Sequence, residues 1–184
     1  MLSSIALAAE TGEANRIAQF FKTPENLQII SSPERVDICI LYPDLAPGEK
    51  FSQKVKEGLY KQVSTEAAAV LSTKLTDGKT YRWNDSKMCI PAYNARIRFH
   101  RGSSSVCADF CFGCEIVNFS RDGTQINDED FDPIRAEVLE IVRSNFPDDK
   151  VVLAIIAEEK RLEEWKRTHA KLKKPKKEKR SDTQ

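Results

Sequence analysis

Two stretches of alternating apolar and polar residues, joined by a short polar turn, constrain the fold of this chain more than any other feature. Residues 95–101 alternate strictly, and a second, longer alternating run follows at about 105–119, after Gly-Ser-Ser. A period of two is typical of a strand with one buried face. Two such runs around a glycine-containing turn predict a central β-hairpin.

The remaining periodic segments predict what surrounds this hairpin. Residues 51–75 carry apolar side chains at every fourth position over their first four turns, which predicts an amphipathic helix of about seven turns. The other predicted elements are a helix at 12–22, a strand at 35–42, a strand near 80–83, an acidic loop at 127–130, and helices that begin at Asp132-Pro133 and at Pro147. This order predicts an α+β fold, with an antiparallel sheet, helices packed on one face and a long charged C-terminal helix.

Charge is distributed unevenly along the chain. Residues 166–180 contain nine Lys or Arg residues and one Glu, whereas the whole chain carries a net charge of +1. We therefore expect a globular domain at 1–157 and, at 158–184, a charged helix that runs into a basic, disordered tail. The basic side chains of this tail are Lys171, Lys173, Lys174, Lys176, Lys177, Lys179 and Arg180. They could attract nucleic acid or another acidic partner, or only keep the chain soluble.

The predicted hairpin also supplies a candidate binding face. A tight turn at residues 103–104 would pair Ile97 with Phe110 and keep the apolar side chains of both strands on one side. The opposite, polar side would then carry Arg96 facing Cys111, Arg98 facing Asp109, and His100 facing Cys107. Such a face can bind an anion or a partner protein, or it can be an ordinary solvated sheet face.

Three of the five cysteines form a C-x3-C-x2-C pattern at Cys107, Cys111 and Cys114. This spacing resembles the iron–sulfur motif of the radical-SAM superfamily, but Gly113 stands where that motif usually has an aromatic residue. Structural zinc needs four ligands, usually arranged as two pairs, and only the pair Cys111 and Cys114 is present. The sequence thus favours no cofactor, and a metal or thiol site at Cys89, Cys111 and Cys114 is the alternative.

A plain β-strand explains the same cysteines without a cofactor. On a regular strand Cys114 would point into the core and Cys111 would point to the opposite face. A disulfide between these two would require a bulge or turn at Gly113, because residues three apart on a strand lie ~10 Å apart and a disulfide needs Cα atoms within ~7 Å. Cys89 or Cys39 on a neighbouring strand would be better partners. The odd cysteine count favours thiols that are mostly reduced.

The sequence gives little support for an enzyme. Residues 77–80 (Asp-Gly-Lys-Thr) resemble the end of a phosphate-binding loop but lack its first glycine. Residues 128–132 have the acidic spacing of a calcium loop, but Pro133 occupies its glycine position. We find no nucleophile elbow, zinc-protease motif or dinucleotide fingerprint.

The first ten residues are relevant to where in the cell the protein is located. They are largely apolar with Ala6-x-Ala8, like the end of an export signal, but they lack its basic start. We expect an apolar lead-in to the first helix and a cytoplasmic location, whereas an upstream start codon would imply export. The longest apolar run, 151–157, is too short for a membrane helix of ~20 residues.

One family resemblance emerges over residues 85–120. The run Cys89-Ile-Pro-Ala-Tyr93, followed by a hairpin that ends in Cys111-Phe-Gly-Cys114, resembles a group of uncharacterised bacterial proteins with a C-x-P-x-(Y/H) segment and a C-F-x-C strand. The resemblance implies no activity, and it implies that Cys107 is incidental. We therefore expect a soluble, non-enzymatic protein that acts by binding a partner or by assembly. A metal- or thiol-dependent protein and a protein that binds nucleic acid through its tail are the alternatives.

Overall fold

A seven-stranded antiparallel sheet forms the centre of the protein, so the predicted α+β class is confirmed. The structure, a computed structural model, describes residues 12–44, 54–83 and 87–172. The elements in chain order are α1 (12–20), α2 (Pro24–Ser31), β1 (Arg35–Pro43), β2 (Val55–Glu57), β3 (Lys61–Gln62), α3 (Thr65–Leu75), β4 (Ala95–Arg101), β5 (Ser104–Cys111), β6 (Ile116–Arg121), β7 (Thr124–Asp130), α4 (Arg135–Asn145) and α5 (Lys150–Leu172). The strand order is β2-β1-β4-β5-β6-β7, and β3 pairs with β1 as well.

The central hairpin of β4 and β5 is present, but its predicted register is wrong by two residues. Ile97 lies opposite Ala108 instead of Phe110, Arg98 opposite Cys107, Arg96 opposite Asp109 and His100 opposite Ser105. The reason is a two-residue turn in which Gly102 adopts a φ of 56°, a conformation that favours glycine at the first central position. A shift of two residues keeps every side chain on its predicted face.

The predicted long strand at about 105–119 is wrong, because it ends at Cys111. Residues 112–115 form a turn, Glu115 adopts a φ of 58°, and β6 returns antiparallel to β5. The acidic residues 127–130, predicted as a loop, belong to the edge strand β7. An edge strand faces solvent along one side, so it tolerates acidic side chains.

The predicted helix at 51–75 is also wrong over its first half. Residues 55–57 and 61–62 are the short strands β2 and β3, and the helix begins only at Thr65, where Ser64 Oγ accepts a hydrogen bond from the Ala67 amide at 3.2 Å. A spacing of four residues fits a period of two as well as a helical period, so the pattern could not separate them. Residues 51–53 lie outside the described part of the chain. Residues 78–80 form a short 3₁₀ turn, and no strand follows at 81–83.

The helices cover the apolar face of the sheet. Ile17, Phe20 and Phe21 of the first helical segment are buried, and so are Val138 and Val142 of α4. The first helix ends at residue 20, and Pro24 begins α2, a helix that the sequence pattern did not predict. Thr23 caps α2 by accepting a hydrogen bond from the Asn26 amide at 3.2 Å. Among the described residues, no helix has the length and apolar character needed to span a membrane.

The last helix is anchored at its start and exposed towards its end. Tyr42 Oη donates a hydrogen bond to Asp149 Oδ2 (2.5 Å), and Asp149 Oδ1 accepts one from the Val151 amide (2.8 Å). The hydrogen bond to Asp149 raises the pKa of Tyr42 to about 12. Val152 is fully buried, whereas residues 161–169 are exposed. The division into a domain at 1–157 and a charged extension stays a prediction.

Candidate functional site

The predicted binding face lies on the polar side of the central strands, and β1 extends it. Arg96 and Asp109, which face each other across β4 and β5, form a two-fold ion pair with N–O distances of 2.6 Å. Arg96 also pairs with Glu57 of β2. Arg98 donates a hydrogen bond to Cys107 Sγ at 3.4 Å, and its guanidinium lies 4.5 Å from the centre of the Tyr60 ring. We call this surface the polar sheet face.

His100 lies at one end of the polar sheet face, between two opposite charges on β1. Its Nε2 is 3.0 Å from Asp37 Oδ2 and 3.3 Å from an Arg35 nitrogen. Burial and the charge of Arg35 lower the pKa of His100, and they outweigh the opposing influence of Asp37. His100 is therefore neutral at neutral pH.

The lowered pKa of His100 predicts a pH dependence of stability. Unfolding restores an ordinary histidine pKa of about 6.5, so the unfolded chain binds the proton more readily. This contribution is present above about pH 6.5 and is lost as the pH falls through the folded-state pKa. We expect the free energy of unfolding to fall less in His100→Gln than in the unmodified protein when the pH is lowered from 7.5 to 5.5, about one unit either side of 6.5. Urea titration at both pH values measures this difference. An equal or steeper fall in the variant would contradict this account.

Charge balance makes the polar sheet face a poor site for an anion. Its arginines, at 35, 96 and 98, lie against the carboxylates of residues 37, 57 and 109. Glu57 and Tyr60 also cover part of the face. Burial raises the pKa of the Cys39 thiol beneath them to about 11, so this thiol is a poor nucleophile. The proposed binding role of this face stays a prediction.

Cys111, the sixth residue predicted for that face, lies at the end of the central strands. It is the last residue of β5, beyond the part that pairs with β4, and only 2 % of its surface is exposed. The Cys114 amide donates a hydrogen bond to Cys111 Sγ at 3.4 Å. The predicted placement of Cys114 in the core is wrong, because the turn at 112–115 ends the strand before that residue and leaves it half-buried.

Cys114 is bonded to Cys89, with Cα atoms 6.3 Å apart, while Cys39, Cys107 and Cys111 are free thiols. Of the alternatives for this stretch, the structure thus contains a disulfide to Cys89, one of the two partners that were expected to suit better than a bond between Cys111 and Cys114. Two members of the alternative metal set, Cys89 and Cys114, share this bond. No group of three His, Cys, Asp or Glu side chains suited to a metal ion occurs within 12–44, 54–83 and 87–172.

The cysteine turn, residues 111–115, is held by contacts that sequence reasoning missed. Asn94 Oδ1 accepts a hydrogen bond from the Phe112 amide (3.1 Å), and Arg135 Nε donates one to the Phe112 carbonyl (3.1 Å). Arg135 also pairs with Glu159 of α5. Arg135 therefore joins the turn, α4 and α5, and nothing in its local sequence marks it for this role.

Lys87 holds the other side of the cysteine turn. Its Nζ lies 2.7 Å from Glu115 Oε2 and 2.7 Å from Asp130 Oδ2, and only 1 % of the Asp130 side chain is exposed. Burial lowers the pKa of Lys87, but its hydrogen bonds with Asp130 and Glu115 outweigh this influence, so the pKa is raised overall. The segment that carries Cys89 is thus tied to the turn by an ion pair as well as by the disulfide.

An open groove of about 780 Å³ lies between the cysteine turn and α5. Its apolar lining includes Ile90, Ala92, Phe112, Val151, Ile155 and Leu162. Ile90 is 63 % exposed and Leu162 is 46 % exposed, although both are large apolar residues. Charged side chains of α5 form the rim. A groove with apolar walls and a charged rim can hold apolar side chains of another molecule.

The basic tail predicted at 171–180 lies almost wholly outside the described residues, and the side chains of residues 171 and 172 are not described either. Its role in binding nucleic acid or an acidic partner stays a prediction, as does the resemblance to the bacterial C-F-x-C group. Neither a protein-family model, nor a curated protein, nor a solved structure matches this chain.

Proposed function

We propose that this protein acts by binding, and that the groove between the cysteine turn and α5 holds an apolar segment of a partner protein. The observation that carries the proposal is the exposure of Ile90 and Leu162 on opposite walls of one open groove. Large apolar side chains that stay exposed around a concavity are typical of a surface that a partner covers.

The course of α5 supports an elongated partner segment. The helix has 23 residues, which corresponds to a length of about 35 Å. Its first turns pack on the core through Val152, whereas its later turns continue past the body with Leu162 in the groove wall. An amphipathic helix or an extended segment could lie along this ledge and place its apolar residues in the groove.

The charges around the groove favour a protein over a nucleic acid. Arg135 is neutralised by Glu159. The other charged side chains of α5 on the rim include both signs: Lys150, Lys166, Glu158 and Glu163. A nucleic-acid site would need an excess of positive charge, whereas a mixed rim around an apolar floor is the usual composition of a protein interface.

A pair of substitutions on α5 tests the proposal. Leu153 and Leu162 are both about half exposed, and nine residues at 3.6 per turn place them on opposite sides of the helix. Peptides selected from a random displayed library against the unmodified protein should be apolar on one face. We expect Leu162→Glu to weaken their binding at least about tenfold, because a carboxylate would be buried against apolar groups. Leu153→Glu should leave it unchanged.

Fluorescence anisotropy with a labelled selected peptide measures both variants, and circular dichroism checks that each is folded. Failure to select any peptide would refute the groove as a binding site. Equal losses in Leu162→Glu and Leu153→Glu would refute it as well, because the effect would then not depend on the groove.

A further inference from the structure

The cysteine turn brings a free thiol next to a disulfide. Cys111 is free, and three residues further on Cys114 is bonded to Cys89. The amide of Cys114 donates its hydrogen bond to Cys111 Sγ at 3.4 Å, so the free sulfur lies over the backbone of the bonded residue. A free thiol and a disulfide, the two reactants of thiol–disulfide exchange, thus lie within one turn of the chain.

The turn also removes the geometric obstacle to a bond between Cys111 and Cys114. On a continuous strand these residues would be ~10 Å apart. A tight turn brings the Cα atoms of residues three apart within about 7 Å, which is the range that a disulfide bridges. The sequence Cys-Phe-Gly-Cys is then a C-x-x-C motif on a turn, the spacing used by many redox-active disulfides.

We propose that the disulfide exchanges between two positions, Cys89–Cys114 and Cys111–Cys114. In the step, the Cys111 sulfur gives up its proton and attacks Cys114 Sγ as a thiolate. The Cys111–Cys114 bond forms as the Cys89–Cys114 bond breaks, and Cys89 leaves as a thiolate that takes up a proton. One disulfide and one thiol are present before and after, so no external oxidant or reductant is needed.

Exchange would change the surface of the protein at the groove. Cys89 is exposed, whereas Cys111 is buried, so the step moves the free thiol from the interior to the surface. It also releases the covalent link between the cysteine turn and the segment with Ile90, while the Lys87 ion pairs remain. Exchange does not require a partner in the groove, because it involves only the sulfur atoms of Cys89, Cys111 and Cys114.

Tryptic mapping distinguishes the two bonds directly. Cleavage at Lys87, Arg96, Arg101 and Arg121 puts Cys89 in peptide 88–96 and the other three cysteines of this region in peptide 102–121. The Cys89–Cys114 bond links the two peptides, whereas the Cys111–Cys114 bond leaves peptide 88–96 free. The intact protein is incubated at about pH 8, where thiolates form, and is then alkylated with iodoacetamide, digested without reduction and analysed by mass spectrometry.

We expect both forms in the unmodified protein: the linked peptides, and peptide 88–96 alkylated at Cys89 beside an internally bonded peptide 102–121. Cys107→Ser excludes the remaining bonds within peptide 102–121 and should still show both forms. Cys111→Ser should show only the linked form. The proposal is overturned if the unmodified protein yields peptide 88–96 only in the linked form, or if the internal bond disappears in Cys107→Ser. The test on the unmodified protein is valid even if a variant fails to fold.

Discussion

Replacing Lys87 with Met is expected to lower the free energy of unfolding by about 3 kcal/mol, because removal of one partner from a buried ion pair leaves the other charge without compensation. Lys87 Nζ is 2.7 Å from a carboxylate oxygen of Asp130, whose side chain is 1 % exposed. In the variant, the Asp130 carboxylate would stay buried without its ion-pair partner. Urea unfolding followed by circular dichroism measures the change.

Two further variants separate this explanation from a general loss of packing. In the double variant Lys87→Met with Asp130→Asn, the uncompensated charge is gone, so a substantial part of the lost stability should return. Lys56→Met removes a lysine from an ion pair with Asp44, 2.6 Å apart, in which the lysine side chain is 70 % exposed. Exposed pairs contribute little, so this control should unfold nearly as the unmodified protein does. A Lys87→Met variant that is no less stable than this control would refute the account.

The sequence predicted correctly those parts of the fold that a short stretch of residues specifies without ambiguity. Strict alternation fixed the two sides of β4 and β5, and the Asp132-Pro133 and Pro147–Asp149 segments marked where α4 and α5 begin. The helix at 51–75 was wrong because a spacing of four residues is common to helices and strands. The hairpin register was wrong because a shift of two residues keeps every face unchanged, so only the turn at Gly102 decides it.

The candidate site was less predictable, since its contacts join distant parts of the chain. Arg135 lies 23 residues from the Phe112 carbonyl that it binds, and Lys87 lies 28 residues from Glu115. No periodicity encodes such pairs. For the cysteines, the sequence left one open condition, whether the strand breaks near Gly113. It could not answer this question, because the side chains that bind the backbone of the turn, Asn94 and Arg135, lie outside the cysteine pattern.

Replacing Phe112 with Ala is expected to lower the free energy of unfolding by about 4 kcal/mol, within the range for a buried phenylalanine that leaves a cavity. Phe112 is 1 % exposed, and its ring centre lies 5.8 Å from that of Phe131 and 6.4 Å from that of Phe110. The substitution removes the side chain that fixes the cysteine turn to the core. Thermal and urea unfolding both measure the loss, and Phe112→Leu should lose much less because it fills most of the space.

The matched control is Gly113→Ala. It distinguishes whether the turn after β5 depends on Gly113 or on Phe112. A Cβ atom at Gly113 would meet nothing within 4 Å, and its φ is not among the positive values found at Gly102 and Gly123. The turn therefore does not need glycine at this position, and we expect Gly113→Ala to change the free energy of unfolding by less than about 0.5 kcal/mol. If Gly113→Ala proved as costly as Phe112→Ala, the turn would depend on the glycine. A large loss in Phe112→Ala alone would show that the buried Phe112 ring, and not the glycine, stabilises the turn, whose backbone Asn94 and Arg135 hold at Phe112.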